Sequence, residues 1–406
     1  MVVPALVAVD TVLAYGRGWR FRSRLETAVF ILLMIVMVVA PALYAIPRTR
    51  RVLGRFGTRL VLLVGAFVTS VALIEIALHL CCGWMLAAQL NLRPPNRDFT
   101  FRPRASIMPG IEGVSHFRTN SMGVRGEEWP SRNDAYRILC IGGSATECAY
   151  LDDLETWPYL LGKSLQSNGR KVWVGNAGIS GASTIEHLYL IDSCEVFRDI
   201  DCAVFMVGLN DFQNYLAGIL LDRTASPLWR QTAVWSVTMQ AYTRLRLERG
   251  MIEDAEGRVY ETRRQKRREA KIVDELPDLT QPLRAYQGRI ERIVAICRQQ
   301  GVRPIFVTQP IVWDVGLSPA MQELLLLGIS NRPDGAYYSI AKLREGEDRY
   351  NALLLETCKS LGVECIDAGS MNGKEQFYYD DCHFNEAGAR RMAEIVAEHF
   401  AKRPTK

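Results

Sequence analysis

The sequence predicts an α/β domain, a parallel sheet covered by helices on both faces, carried behind a membrane-embedded N-terminus. Three observations predict it. Short apolar runs alternate with amphipathic stretches through the C-terminal two thirds, glycines and small polar groups directly follow those runs, and two long uncharged runs lie near the start. At 406 residues, 49% hydrophobic and 23% charged, the chain is too apolar for disorder and long enough for a sizeable core. The net charge of +5 does not make it a polyanion binder. Nine Arg against Asp10, Glu26 and Glu75 in residues 1–84 hold the whole excess, so a nucleic-acid partner is not expected.

Residues 1–84 read as a membrane anchor. Thr27–Ile46 is twenty residues without a charge, enough to cross about 30 Å of hydrocarbon as a helix. Leu60–Cys82 is a second run, interrupted by Glu75 and His79, which share a helix face at i and i+4. Val2–Tyr15 is shorter and holds Asp10, so it reads as an interfacial segment or a broken third span. A cleavable signal peptide fits poorly, because a second span follows the first and neither ends in a small-residue cleavage site. Arginines crowd both before the first span and between the two, and a simple hairpin cannot place both clusters on the cytoplasmic side.

Residues 85–134 read as a connector, dotted with Pro and Arg over Leu92–Arg104, and residues 135–406 as the catalytic domain. Its strands are expected at Arg137–Ile141, Val172–Val174, Cys202–Val207, Pro304–Thr308 and Val363–Ile366. Helices are expected at Trp157–Gln166, Ile185–Phe197, Leu283–Gln300, Tyr350–Leu361 and Glu386–Ala401. An insertion, 212–282, breaks the rhythm. Its basic run (Arg263, Arg264, Lys266, Arg267, Arg268, Lys271) reads as a solvated helix face. Its aromatics Tyr215, Trp229, Trp235 and Tyr242 suit a lid over the strand ends, with a surface elaboration as the alternative.

Ligands of such sheets bind at the carboxyl ends of the strands. There the chain places Gly142-Gly143-Ser144, the glycine-rich loop Gly175–Gly181, and Gly208-Leu209-Asn210-Asp211, with Asp380-Asp381-Cys382-His383 before the last helix. A serine hydroxyl becomes nucleophilic when an imidazole accepts its proton, and the imidazole needs a carboxylate to fix its tautomer. Asp380, three residues before His383, has the spacing for one loop turn to close. Donors for a tetrahedral oxyanion are available from the N–H groups of Ser144 and Gly181 and the amide of Asn210. Gln309, after the fourth strand, lies at the same rim as a substrate contact or a plain turn residue, and His187 reads as structural. The cysteines show no CxxC pair or zinc spacing, so no metal is expected, and Cys382 reads as packing.

These four blocks, in this order, resemble those of the SGNH/GDSL hydrolases, over about residues 135–401. The resemblance implies a three-layer α/β/α sandwich with a flavodoxin-like parallel sheet and esterase, lipase, deacetylase or acyltransferase activity without a cofactor. It further implies Ser144 as nucleophile, Gly181 and Asn210 in the oxyanion hole, and Asp380 and His383 completing the triad. Gly143 departs from the Asp that the family name places there, and Asp381 beside Asp380 duplicates the carboxylate. Asn120-Ser121-Met122-Gly123-Val124-Arg125-Gly126 is similar to a lead-in found in some membrane-linked members.

The function expected is therefore that of a multi-pass membrane-anchored serine esterase cleaving O-acyl groups from a small molecule, glycan or lipid, its catalytic domain extracytoplasmic by analogy. Acyl transfer to a glycan through the same acyl-enzyme is one alternative. A non-catalytic membrane scaffold is the other.

Overall fold

The computed structural model of the chain describes residues 92–403 apart from 94, 132–133, 168–170 and 220–255, together with scattered helical positions between 59 and 77. Thr27–Ile46, most of Leu60–Cys82, Val2–Tyr15 and the aromatics Trp229, Trp235 and Tyr242 lie outside the described residues. Among the described residues no helix is long and apolar enough to cross a membrane. Ala87–Leu221 and Met251–Lys406 together form one compact unit, which holds the sheet and its strand-end motifs.

Five apolar runs pair as one parallel sheet: β3 (Tyr136–Gly142), β4 (Val172–Asn176), β5 (Cys202–Val207), β7 (Arg303–Thr308) and β9 (Glu364–Ile366). Their spatial order is β4-β3-β5-β7-β9, the flavodoxin-like 2-1-3-4-5. Every residue of β5 is buried, as a strand covered on both faces requires. Phe205 and Phe306 stack across β5 and β7 at 5.2 Å between ring centroids. After β3 come α1 (Ser144–Glu147) and α2 (Trp157–Ser167); α3 (Thr184–Ser193) follows β4 and α4 (Leu209–Leu216) follows β5. Beyond 220–255 come α5 (Arg258–Glu269), α6 (Thr280–Gln300), α7 (Pro319–Gln322), α8 (Ile340–Leu361) and α9 (Glu386–Lys402). Helices α2 and α9 pack together as one layer, while α6 packs on α3 and α8 as the other. This is the α/β/α arrangement, with the topological switch point between β3 and β5.

Three differences from the sequence-based expectation have physical causes. Residues 85–134 are not a plain connector: β1 (Asp98–Phe101) and β2 (Ser115–Arg118) pair antiparallel, and Phe101, Ile107, Met108, Phe117 and Val124 join the core. Their apolar residues are too scattered along the chain to show a period. Helix α8 starts at Ile340, ten residues before the expected Tyr350, because Ser339 caps it through the Lys342 N–H at 3.3 Å. The basic run on α5 is not a wholly solvated face, since Arg264 and Arg267 are only 4% and 7% exposed. Their guanidinium groups are spent on backbone carbonyls: Arg264 on those of Ile107, Leu324 and Tyr379, and Arg267 on those of Leu327 and Tyr338. A short strand pair, β6 (Ile272–Val273) and β8 (Tyr337–Tyr338), completes this region.

Candidate active site

Strand β3 delivers Gly142-Gly143 and then Ser144 as the first residue of α1. A Cβ on Gly143 would stand 2.3 Å from Asn210 Nδ2, so the absence of a side chain here lets the amide lie close against the backbone beside Ser144. Strand β5 ends at Val207, and α4 presents Asn210 in its first turn, with Nδ2 donating to the Ala182 carbonyl at 2.8 Å. Gly181, next to Ala182, has φ +79, a left-handed turn that glycine adopts without strain. The three candidate oxyanion donors thus come from three successive strand ends.

The last loop closes the constellation. Ser144 Oγ–H donates to His383 Nε2 at 2.6 Å, and His383 Nδ1–H donates to Asp380 Oδ2 at 2.6 Å. Asp380 Oδ1 accepts the backbone N–H groups of Cys382 (3.0 Å) and His383 (2.9 Å). This one carboxylate therefore folds its own loop as well as orienting the ring. Burial alone would raise the Asp380 carboxyl, but the His383 ring and these hydrogen bonds outweigh it and hold the group below the usual carboxylate range. Burial would likewise lower the His383 imidazole, and the Asp380 charge outweighs that, so its pKa stands above the ordinary 6.5.

Asp381 faces the other way. Its Oδ1 accepts Trp313 Nε1–H at 2.7 Å and its Oδ2 the N–H groups of Leu326 (2.7 Å) and Leu327 (3.2 Å). Burial, then the neighbouring Asp380 charge, push its pKa up. Gln309 lines the same cleft as Ser144 and Asn210, but its side chain turns back to the Pro310 carbonyl at 3.1 Å, and the Asn351 amide clamps its backbone. His187 borders the cleft too, and burial depresses its pKa and favours the neutral ring. Asp380, Cys382 and His383 bring metal-ligand atoms within 4.8 Å of one another. Two of the three are already hydrogen-bonded to each other, and burial pushes the Cys382 thiol well up, so the donor set suits a triad rather than a metal.

Sequence reasoning missed the supports. Arg125, from the lead-in block, is buried and donates to the carbonyls of Glu147 (2.8 Å), Cys148 (2.8 Å), His116 (3.0 Å) and Leu151 (2.6 Å), with Nε on Asp153 at 2.7 Å. It thereby collects the carbonyls at the C-terminus of the four-residue helix that starts at Ser144. Glu147 is buried between Arg93 (2.7 Å) and the Ser180 N–H (2.9 Å), tying α1 to the glycine loop. Asn176 adds a bond from Nδ2 to the Thr146 carbonyl at 2.8 Å. The signal was present in the block Asn120–Gly126, whose role no spacing rule discloses.

The sequence pattern of the GDSL-like Lipase/Acylhydrolase family matches residues 140–391. No curated protein matches the chain. Solved structures similar to it include an acetylxylan esterase from Geobacillus stearothermophilus, 14% identical, covering 66% of this chain and 93% of its own, with a TM-score of 0.36. A GDSL-like lipase from Bacteroides thetaiotaomicron is 12% identical, covering 67% of this chain and 91% of its own, with a TM-score of 0.34. With the family pattern spanning more than half of the chain and all four of its strand-end motifs, this protein belongs to the GDSL-like lipase/acylhydrolase family and is an ester hydrolase of the serine type.

Proposed function

We propose that the protein is a membrane-tethered esterase that removes O-acyl groups from a glycan or lipid through an acyl-enzyme on Ser144. The observation that carries this reading is the unbroken chain from Asp380 Oδ2 through the His383 ring to Ser144 Oγ, 2.6 Å at each step. In it, Ser144 Oγ attacks the ester carbonyl while His383 Nε2 takes its proton. Asp380 holds the Nδ1–H tautomer and stabilises the imidazolium. The carbonyl oxygen becomes an oxyanion against the N–H groups of Ser144 and Gly181 and Asn210 Nδ2, each such donor typically contributing about 3–4 kcal/mol in the transition state. His383 returns the proton to the departing alkoxide, and water, deprotonated by the same ring, hydrolyses the acyl-enzyme.

The uncharged runs Thr27–Ile46 and Leu60–Cys82 support the tether, and an extracytoplasmic domain would bring surface glycans and lipids within reach. The test uses the full chain in intact cells. A membrane-impermeant protease should digest the catalytic domain, and the membrane fraction should hydrolyse a short-chain p-nitrophenyl ester, with Ser144→Ala inactive. Appearance of the acyl group on an added sugar instead of as free acid would show transfer. A protected domain would refute the topology.

A further inference from the structure

Asp211 follows the oxyanion donor Asn210 in the first turn of α4, and none of the reaction steps above uses it. It is buried and lines the same cleft as Ser144 and Asn210. Its Oδ2 accepts the backbone N–H of Thr184 at 3.1 Å, and its Oδ1 accepts the Thr184 hydroxyl. Thr184 opens α3 just past Gly181 and Ala182, and the Ala182 carbonyl accepts the Asn210 amide. One carboxylate therefore fastens the turn that carries the amide donor to the loop that carries the backbone donor.

A third element closes the lock. Helix α6 packs on α3, and from it Arg289 reaches both partners. Its Nη2 donates to Asp211 Oδ1 at 2.9 Å and its Nε to the Thr184 hydroxyl oxygen at 2.6 Å. Thr184 thus accepts from the guanidinium while it donates to the carboxylate, and the three side chains form a closed ring. The planar fork of a guanidinium suits two such bonds at once.

Charge matters here as much as geometry. Asn210 Nδ2 has two N–H groups, one spent on Ala182 and the other left for the oxyanion. Negative charge grows on the substrate oxygen at that second N–H, in a cleft that holds a carboxylate one residue away. Screening is weak in such a site, so an uncancelled carboxylate would oppose the charge that the hole exists to stabilise. We infer that Arg289 is a positioning residue of the oxyanion hole, which through Asp211 and Thr184 sets the Asn210 turn against the Gly181 loop and cancels the charge of the carboxylate beside them. This rests on the acyl-enzyme reading above and adds to it a residue from a different helix.

The experiment measures kcat and KM of the full chain in detergent for p-nitrophenyl acetate, with active sites counted by complete reaction with a fluorophosphonate. It also measures the Kd of butylboronic acid, which forms a tetrahedral anion on a serine hydroxyl. Arg289→Gln should lower kcat per site and weaken the boronate by about tenfold each, with KM little changed, because the repulsion acts only where charge develops. Arg289→Lys, which keeps the charge, should retain most of the activity, and Gln at the exposed Arg292 of the same helix should leave it at the wild-type level. Joining Asp211→Asn to Arg289→Gln removes both charges yet keeps an oxygen facing Thr184, so the double variant should recover most of the loss. A double variant no better than Arg289→Gln, or Arg289→Gln turning over at the wild-type rate per site, overturns the inference. Should Arg289→Gln yield no active sites, the double variant carries the test: kcat near wild type supports charge cancellation, and kcat as low as that of Asn210→Ala overturns it. If wild type turns over no ester and the fluorophosphonate leaves Ser144 unmodified, the acyl-enzyme reading itself has failed.

Discussion

Asp380 and Asp381 are adjacent in the chain and point their carboxylates apart, the first onto His383 Nδ1 at 2.6 Å and the second onto Trp313 Nε1 at 2.7 Å. The carboxylate that the sequence duplicates is thus divided between two loops, with Asp380, at the i−3 spacing, on the ring. Asp380→Ala should lower kcat by about four orders of magnitude, as loss of an orienting triad carboxylate does, in protein that still folds although its loop loses the acceptor of two N–H groups. Asp381→Ala should instead destabilise the domain by about 1–3 kcal/mol through the unpaired donors of Trp313, Leu326 and Leu327. Parallel kcat and thermal-melt measurements on the two variants check this. Inactivity of a well-folded Asp381→Ala with a mild Asp380→Ala would reverse the roles.

The raised pKa of His383 gives the pH dependence a sign. The ring must be neutral to accept the serine proton, so the acidic limb of kcat/KM should fall above pH 6.5 rather than at it. In Asp380→Asn that limb should move to lower pH in the residual activity. The same shift means that protonated His383 stabilises the fold fully below the unfolded value of 6.5 and that this contribution is lost as pH rises through the folded pKa. A pH–rate profile with a neutral aryl ester reads the first effect.

Arg125 carries a prediction about support rather than chemistry. Arg125→Met removes a donor from each of four carbonyls and leaves Asp153 to Arg118 alone, and it should cost about 1–3 kcal/mol of stability, the scale for leaving buried acceptors unsatisfied. Activity of the folded fraction should drop as well, because two of those carbonyls terminate the helix that begins with Ser144. Denaturant titration with activity measured on the same samples checks both.

Much of this was legible in the sequence because the sheet is buried on both faces. A strand such as Cys202–Val207 reads as an uninterrupted apolar run, and the residue after it falls at a strand end by construction. Asp-x-x-His spacing likewise closes a local loop that needs no long-range knowledge. What escaped was set by tertiary contact. Nothing in the composition of Arg263–Lys271 separates Arg264, committed to three carbonyls, from Arg263, which is exposed. Arg125 was visible only as part of a motif, and Tyr260 lies 123 positions from the imidazole it packs against.

Glu347 on α8 is wholly buried, and neither carboxylate oxygen has a hydrogen-bond partner among the described residues. Burial, then the Asp211 charge, push its pKa well above 4.5, because both disfavour the charged form. Stability from this group is full below the unfolded pKa and is lost as pH rises toward the folded one. Glu347→Met should therefore stabilise the domain by about 1–3 kcal/mol at pH 8 and by less at pH 5. Melting temperatures at the two pH values check it; equal gains at both would show that protonation is not involved.

The central claim is that Ser144 is the nucleophile, and covalent trapping tests it most directly. The full chain, treated with a fluorophosphonate and digested, should yield one phosphonylated peptide carrying the adduct on Ser144, with none formed in Ser144→Ala and little in His383→Ala. An adduct on another residue, or none on a folded wild type that turns over an aryl ester, would contradict the account.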